Sequence, residues 1–428
     1  MTLRLPALLL SLALAATTLA QTPADDLAPA PDIEANLEIW VWEGPLEALQ
    51  ALDAEFQEFY PNIELEYVAR PTTDTYQQIQ LAAVAGGAPD VSLIENSHLR
   101  QFAELGILSD LTEQVEPYVP LMNEFKWDEA RVDGRYYALP WDSGPVVLFY
   151  RRDVFEQAGV DAASIETWED YYQAAKVIKE KTGVPMWQQA TARNTGRTFE
   201  TLMWQRGLGY LDADGNVILD QEPEIREILE FMDRFWDEDL AVDVEEWTDP
   251  WYRNFADGGV ASHPGAVWMG TFFKSWIAPD AGGNWGVMRL PAWEAGGSQA
   301  SNDGGSSLAI FAESDQQEAA WAYVEFHLGR TESQLEMYRQ FDLFPSLATT
   351  YDAALFSEPD PYYGDQAVRE IFAEVVQEIP EAGVYSADYA EMNSLMSAEL
   401  QRFAAGDQTA EEALARAARE IRSRTGRR

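Results

Sequence analysis

The sequence contains no cysteine. Disulfides, a cysteine nucleophile and lipid attachment through an N-terminal cysteine are therefore excluded. The three histidines, His98, His263 and His327, lie far apart and show no HExxH spacing, so no metal site and no cofactor is expected. Positive charge is scarce as well, with 29 Lys and Arg against 73 Asp and Glu and a net charge of −44 at pH 7. A field of that sign keeps a protein soluble, repels nucleic acid, anionic lipid and phosphorylated ligands, and leaves neutral or cationic partners. The chain also has no GxxxxGK[ST] phosphate loop and no GxSxG nucleophile elbow.

Long apolar runs are missing too, apart from residues 5–16 behind Arg4. That run breaks at Thr17 and Thr18, short of the roughly 20 residues a spanning helix needs. It reads instead as a secretory signal over residues 1–20, with cleavage expected before Gln21. The mature protein is thus expected in the periplasm or secreted, neither a lipoprotein nor embedded in a membrane. Residues 21–36, rich in Pro, Ala and Asp, read as a disordered lead-in.

What is present is a regular alternation of elements. Leu37, Ile39 and Val41 alternate with polar and aromatic neighbours as in a strand, and Leu49, Leu52, Phe56 and Phe59 then recur at helical spacing up to Pro61. Residues 63–68 alternate again, 74–85 read as a helix ended by Gly86 and Gly87, and 90–94 as a third strand. Strand, helix, strand, helix, strand implies a parallel sheet with covering helices. A second α/β unit begins after a short apolar strand at 145–150, with a capping box at Thr167 and Asp170 opening the next helix. Further helices are expected at 222–238, 316–329, 366–378 and 410–422. Asp212 and Asp214 suggest a calcium loop, but the glycine is misplaced and a turn around Gly215 fits better.

Several stretches together resemble the family 1 extracellular solute-binding proteins, the group that includes maltose-binding protein. They are 37–42 with its helix, 88–91, 106–108, 133–140, 150–156, 167–170, 255–258 leading to Trp268, 306–310, and the helix around Trp321. Each is weak alone, but their order and spacing span nearly all of the mature chain. The resemblance implies an α/β, two-lobed periplasmic-binding-protein-like fold with three crossings between the lobes, near 142–145, 301–306 and 342–346. The lobes would be 37–143 with 305–343, and 144–304 with 344–428. It also implies a receptor rather than an enzyme, handing a neutral sugar or short oligosaccharide to the permease of an ABC importer.

A sugar needs flat aromatic platforms for its C–H faces and planar polar groups for its hydroxyls. Trp42 and Glu43 follow the first strand, and Glu95 and Asn96 follow the third, at the carboxyl ends where open α/β sheets bind ligands. Trp141 and Asp142 lie at the first crossing, and Gly304, beside Gly305, at the second as a hinge or turn. Trp268 matches the family's stacking tryptophan, although Ser262 and Val267 depart from the surrounding pattern. Trp204, Trp251 and Tyr385 complete the candidates as second-tier choices, core or cleft wall rather than direct contacts. Two other readings stand beside this one: a receptor for a cationic solute of polyamine type, whose cation–π contacts would use the same rings, and a secreted glycoside hydrolase, which needs only two suitably spaced carboxylates.

Overall fold

The computed structural model describes residues 21–190, 195–381 and 385–428. The expected signal segment lies outside the described residues.

The run read as a short strand at 145–150 is the second half of a 13-residue strand that organises the molecule. Seven strands form the main sheet: β1 (Ala35–Val41), β2 (Ile63–Ala69), β3 (Val91–Glu95), β4 (Leu139–Arg151), β5 (Ser262–Ala266), β6 (Trp285–Met288) and β7 (Asn302–Ile310). They are ordered β6-β4-β7-β3-β1-β2, with β5 also paired to β4. β2, β1 and β3 are parallel, as the alternating pattern predicts, whereas β7 runs antiparallel to both β3 and β4. The first half of β4 pairs with β7 in one lobe, and its second half pairs with β5 and β6 in the other.

Side-chain alternation along β4 explains why its second half is continuously apolar. Val146 and Leu148 enter one core with Trp168, Trp187 and Phe231, while Val147 and Phe149 enter a second core with Phe255, Phe273 and Trp285. A strand covered on both faces has no position to give to a polar residue. The other lobe has its own core, built from β1, β3 and the helices Glu43–Gln50 and Asp53–Phe59 around Phe56, Phe102 and Tyr323. The sequence reads those two helices as one; they separate at residues 51–52.

The helix Trp168–Thr182 starts on the expected capping box, Thr167 accepting from the Asp170 N–H while Asp170 accepts from the Thr167 N–H. Such a cap stabilises a helix by about 1 kcal/mol. Expected helices appear at Thr72–Ala85, Pro223–Asp237, Gln317–Val324, Val368–Gln377 and Ala410–Thr425. The long helices Thr195–Trp204, Thr331–Phe341 and Tyr389–Ala404 went unread.

Three chain segments pass between the lobes side by side. β4 and β7 are two of them. The third bridges Asp142 through Pro345, with Ser143 N–H donating to the Phe344 carbonyl at 2.9 Å and Ser346 N–H donating to Trp141 at 2.8 Å. Leu347, assigned by sequence to the second lobe, packs instead in the core of the first and bridges Met122.

Residues 21–36 are not a disordered lead-in. Residues Pro23–Asp26 form a capped turn of 3-10 helix, Ala24 is fully buried, and residues 35 and 36 already belong to β1. Thr22 Oγ1 donates to Gly329 at 2.7 Å, and Asp25 accepts from both the N–H and the hydroxyl of Thr331 at 2.8 Å. The polar residues that suggested disorder are the ones that tie the segment down.

Candidate functional site: an aromatic and acidic cleft

A cavity of about 580 Å³ opens between the lobes, within the range of about 300–1,000 Å³ usual for small-molecule sites. Glu95 reaches it from the end of β3 in the first lobe, and Asp303 from β7 at the crossing. The second lobe supplies the rest: Arg197 and Thr201 from the helix Thr195–Trp204, Trp251 from Asp249–Asp257, and Trp268 from the start of Trp268–Phe272. Glu246 and Trp247 come from the turn before Asp249, and His263, Pro264 and Gly265 from β5.

Three indole rings make one wall. Trp268 is half-buried, and its N–H donates to the Asp303 carbonyl at 2.9 Å, which fixes the ring plane. Trp247 lies nearly parallel to it, centroids 6.0 Å apart with 21° between planes, and Trp251 tilts against Trp247 at 5.1 Å. Trp251 itself is 2% exposed and sits edge-on to Phe255 at 4.7 Å, so it backs the wall rather than facing out.

The lining beside these rings is charged. The Arg197 guanidinium pairs with Asp303 through Nε and lies 3.7 Å from Glu95 through Nη2, spanning from one lobe to the other. Burial alone would lower its pKa, but Asp303 and Glu95 raise it, so the guanidinium stays charged. Glu246 behaves in the opposite way. Burial, then repulsion from Asp303, pushes its carboxyl up to about 8 despite the pull of Arg197. It is protonated at neutral pH and can donate a hydrogen bond. His263, enclosed between Trp251 and Phe255, is pushed down to about 3 by burial and stays neutral. No cluster of His, Asp or Glu among the described residues could hold a metal ion.

Of the residues singled out from sequence, Glu95, Trp251 and Trp268 line this cavity, and Gly304 lies beside it. A Cβ on Gly304 would come within 3.3 Å of Arg197 Nη2 and 3.7 Å of Trp268 Nε1, and its backbone is left-handed at φ +81°. The structure does not bring the others to the cavity wall. Trp42 caps the helix Glu43–Gln50 and packs half-buried on the first lobe's core, and Glu43 is exposed. Trp141 is 1% exposed in that core. Trp204 and Tyr385 are buried edge-on to each other at 5.7 Å.

Asn96 and Asp142 belong to a buried polar network under the cleft. Lys126, fully buried, lies 3.0 Å from Glu129. Glu129 accepts from Asn96 and from Asn302, and Asn96 accepts from Ser307 at 2.9 Å. Asp142 accepts from the N–H of Ser306 at 2.8 Å and from its hydroxyl. Burial raises the carboxyls of Glu129 and Asp142, and Lys126 lowers both. Gly305 has to be glycine here, because a Cβ would land 2.6 Å from Lys126 Nζ on a backbone at φ +107°.

Sequence reasoning missed Arg197, Glu246, Trp247 and Asp303 as site residues. A tryptophan between Glu246 and Thr248, outside any periodic apolar face, was a signal that could have found Trp247.

Two lobes on a shared sheet, with a cleft between them, define a binding protein of the periplasmic type. Residues 42–331 match the bacterial extracellular solute-binding protein family, and the chain belongs to it. An arabinooligosaccharide-binding protein of Halalkalibacterium halodurans is 28% identical over 366 residues, 81% of this chain and 80% of its own. A lactose-binding protein of Rhizobium radiobacter is 26% identical, covering 80% and 82%. Among solved structures, an ABC transporter associated binding protein from B. animalis subsp. lactis, in complex with β-1,6-galactobiose, superposes with a TM-score of 0.76. It is 26% identical and covers 91% of this chain and 97% of its own. The sugar-binding protein MalE from Xanthomonas citri gives a TM-score of 0.78 at 24% identity and shares the fold.

Proposed function

We propose that the protein is an extracytoplasmic receptor for a neutral oligosaccharide, which it delivers to the permease of an ABC importer. The observation that carries this reading is the pairing, in one cleft, of an indole wall with a rim of carboxyl groups and the Arg197 guanidinium. Trp268 and Trp247 suit the C–H faces of sugar rings, while Glu95, Glu246, Asp303 and Arg197 suit hydroxyls. Each charge-assisted bond contributes about 1.5–3 kcal/mol. Arg197, the one cation lining the cavity among the described residues, is already paired with Asp303 and Glu95, which disfavours a phosphate or uronate. Relatives named for arabinooligosaccharide and lactose point to the same ligand class.

In this reading the lobes are 37–143 with 305–343, and 144–304 with 344–428 apart from Leu347. They close on intact ligand and release it unchanged, without catalysis. The chain is exported by cleavage before Gln21 and carries no lipid. No helix among the described residues is long and apolar enough to cross a membrane.

Thermal shift against arabinotriose, lactose, β-1,6-galactobiose and maltose tests the ligand class. A ligand at 100 times its Kd stabilises by about 2.7 kcal/mol, and no shift with any of the four overturns the reading. New reducing ends after prolonged incubation would show hydrolysis and overturn the receptor role.

A further inference from the structure

The turn that carries Glu246 and Trp247 is built against local preference. Trp247 has φ +62°, a left-handed backbone that turns normally reserve for Gly or Asn, and for a bulky side chain it is an outlier. The Thr248 hydroxyl closes the turn by donating to the Glu245 carbonyl at 2.6 Å. The core does not explain the tryptophan, because the residue is 44% exposed. What the backbone achieves is placement. Successive side chains of an extended chain point to opposite sides, yet Glu246 and Trp247 both line the same cavity. Strain held at a half-exposed residue in a cleft is a mark of a functional position.

We propose that this turn is a ligand-binding wall, in which Trp247 covers the second face of a sugar ring resting on Trp268 while Glu246 holds one of its hydroxyls. The inference rests on the reading of the cleft as a saccharide site. The two indole centroids stand 6.0 Å apart. A ring held between them needs roughly 3.5–4.0 Å on each side, so Trp247 swings outward by at least roughly 1–2 Å on binding. Besides Trp268 it meets Trp251 at 5.1 Å and Phe272 edge-on at 6.2 Å, and its 44% exposure leaves a solvent side toward which it can move. A ring gripped on two faces must present C–H on both. That selects an all-equatorial pyranose over a ring with an axial hydroxyl.

Trp247→Gly is the informative variant, because glycine suits the left-handed backbone and removes only the ring. With the saccharide of the panel above that binds wild type most tightly, calorimetric affinity should fall at least about tenfold, while the ligand-free melting temperature stays level or rises. Trp247→Phe should recover most of the loss. Unchanged affinity in Trp247→Gly would make the ring a bystander, and tighter binding would mean that it occupies the ligand's place; either overturns the wall. Wild type should also favour gentiobiose over β-1,6-galactobiose, in which the C4 hydroxyl of each ring is axial, and the ratio should narrow in Trp247→Gly. An unchanged ratio overturns the two-face selection. Failure of wild type to bind any saccharide would instead overturn the sugar reading itself, with the wall falling alongside it.

Discussion

The cleft and the network beneath it use the same residue types for opposite ends. Each holds carboxyl groups around one cation, Arg197 above and Lys126 below. Above, Arg197 keeps 32% of its side-chain surface exposed, next to aromatic faces with room in front of them. Below, Lys126 is fully buried, and Glu129, Asp142, Asn96 and Asn302 are consumed by one another and by the crossing strands. The difference teaches that accessible surface and unspent hydrogen-bonding capacity mark a ligand site, whereas the residue types alone do not.

The comparison can be broken in four places. Lys126→Met should have the largest effect, about 3–5 kcal/mol of stability, because it leaves Glu129 and Asp142 buried without their cation. The urea midpoint reports it, and whatever folded protein remains should bind sugar nearly as wild type. Trp268→Ala should do the reverse, costing about 2 kcal/mol or more of binding in calorimetry with a near-normal midpoint. A large loss of stability there would move Trp268 from the upper region to the lower.

Glu246→Gln sharpens the upper region through pH. The folded carboxyl titrates near 8, far above its unfolded value, so the folded state retains a proton that the unfolded state has lost. Wild-type stability should therefore fall as pH rises from about 4.5 to 8 and level off beyond, and Glu246→Gln should remove that slope. After screening by water at this half-buried site the gain at pH 8 should be about 1–2 kcal/mol, read from melting curves at pH 5 and pH 8. Ser306→Ala should have the smallest effect. It removes one donor to Asp142 but leaves the backbone N–H, for about 1 kcal/mol of stability and no change in affinity.

The fold was legible wherever local pattern and tertiary role agree. β1, β2 and the helix Thr72–Ala85 announce themselves by alternation, helical spacing and glycine stops. The first half of β4 did not, because Asp142, Ser143 and Gly144 interrupt the apolar pattern; they are buried among strands and bonded there rather than exposed in a turn. Thr22 and Asp25 misled for a related reason, since their partners Gly329 and Thr331 lie some 300 residues away. Within the site, Glu95 was reachable from its place at the end of a strand, and Trp268 through the family resemblance. Asn96 and Asp142 sit at equally suggestive places, but their side chains turn inward. Arg197 gave no local signal, because its meaning arises only when the two lobes face each other.

β4 has one more consequence, for how such a molecule can be taken apart. One strand of 13 residues gives its first half to one lobe and its second half to the other. A cut through it would leave each half-protein with a sheet missing a central member. Neither lobe is therefore an exchangeable module, and a chimaera that grafts one relative's lobe onto another would have to carry β4 and β7 across together. New specificity is better sought by replacing the loops around the cleft, which can be exchanged without touching the shared strands.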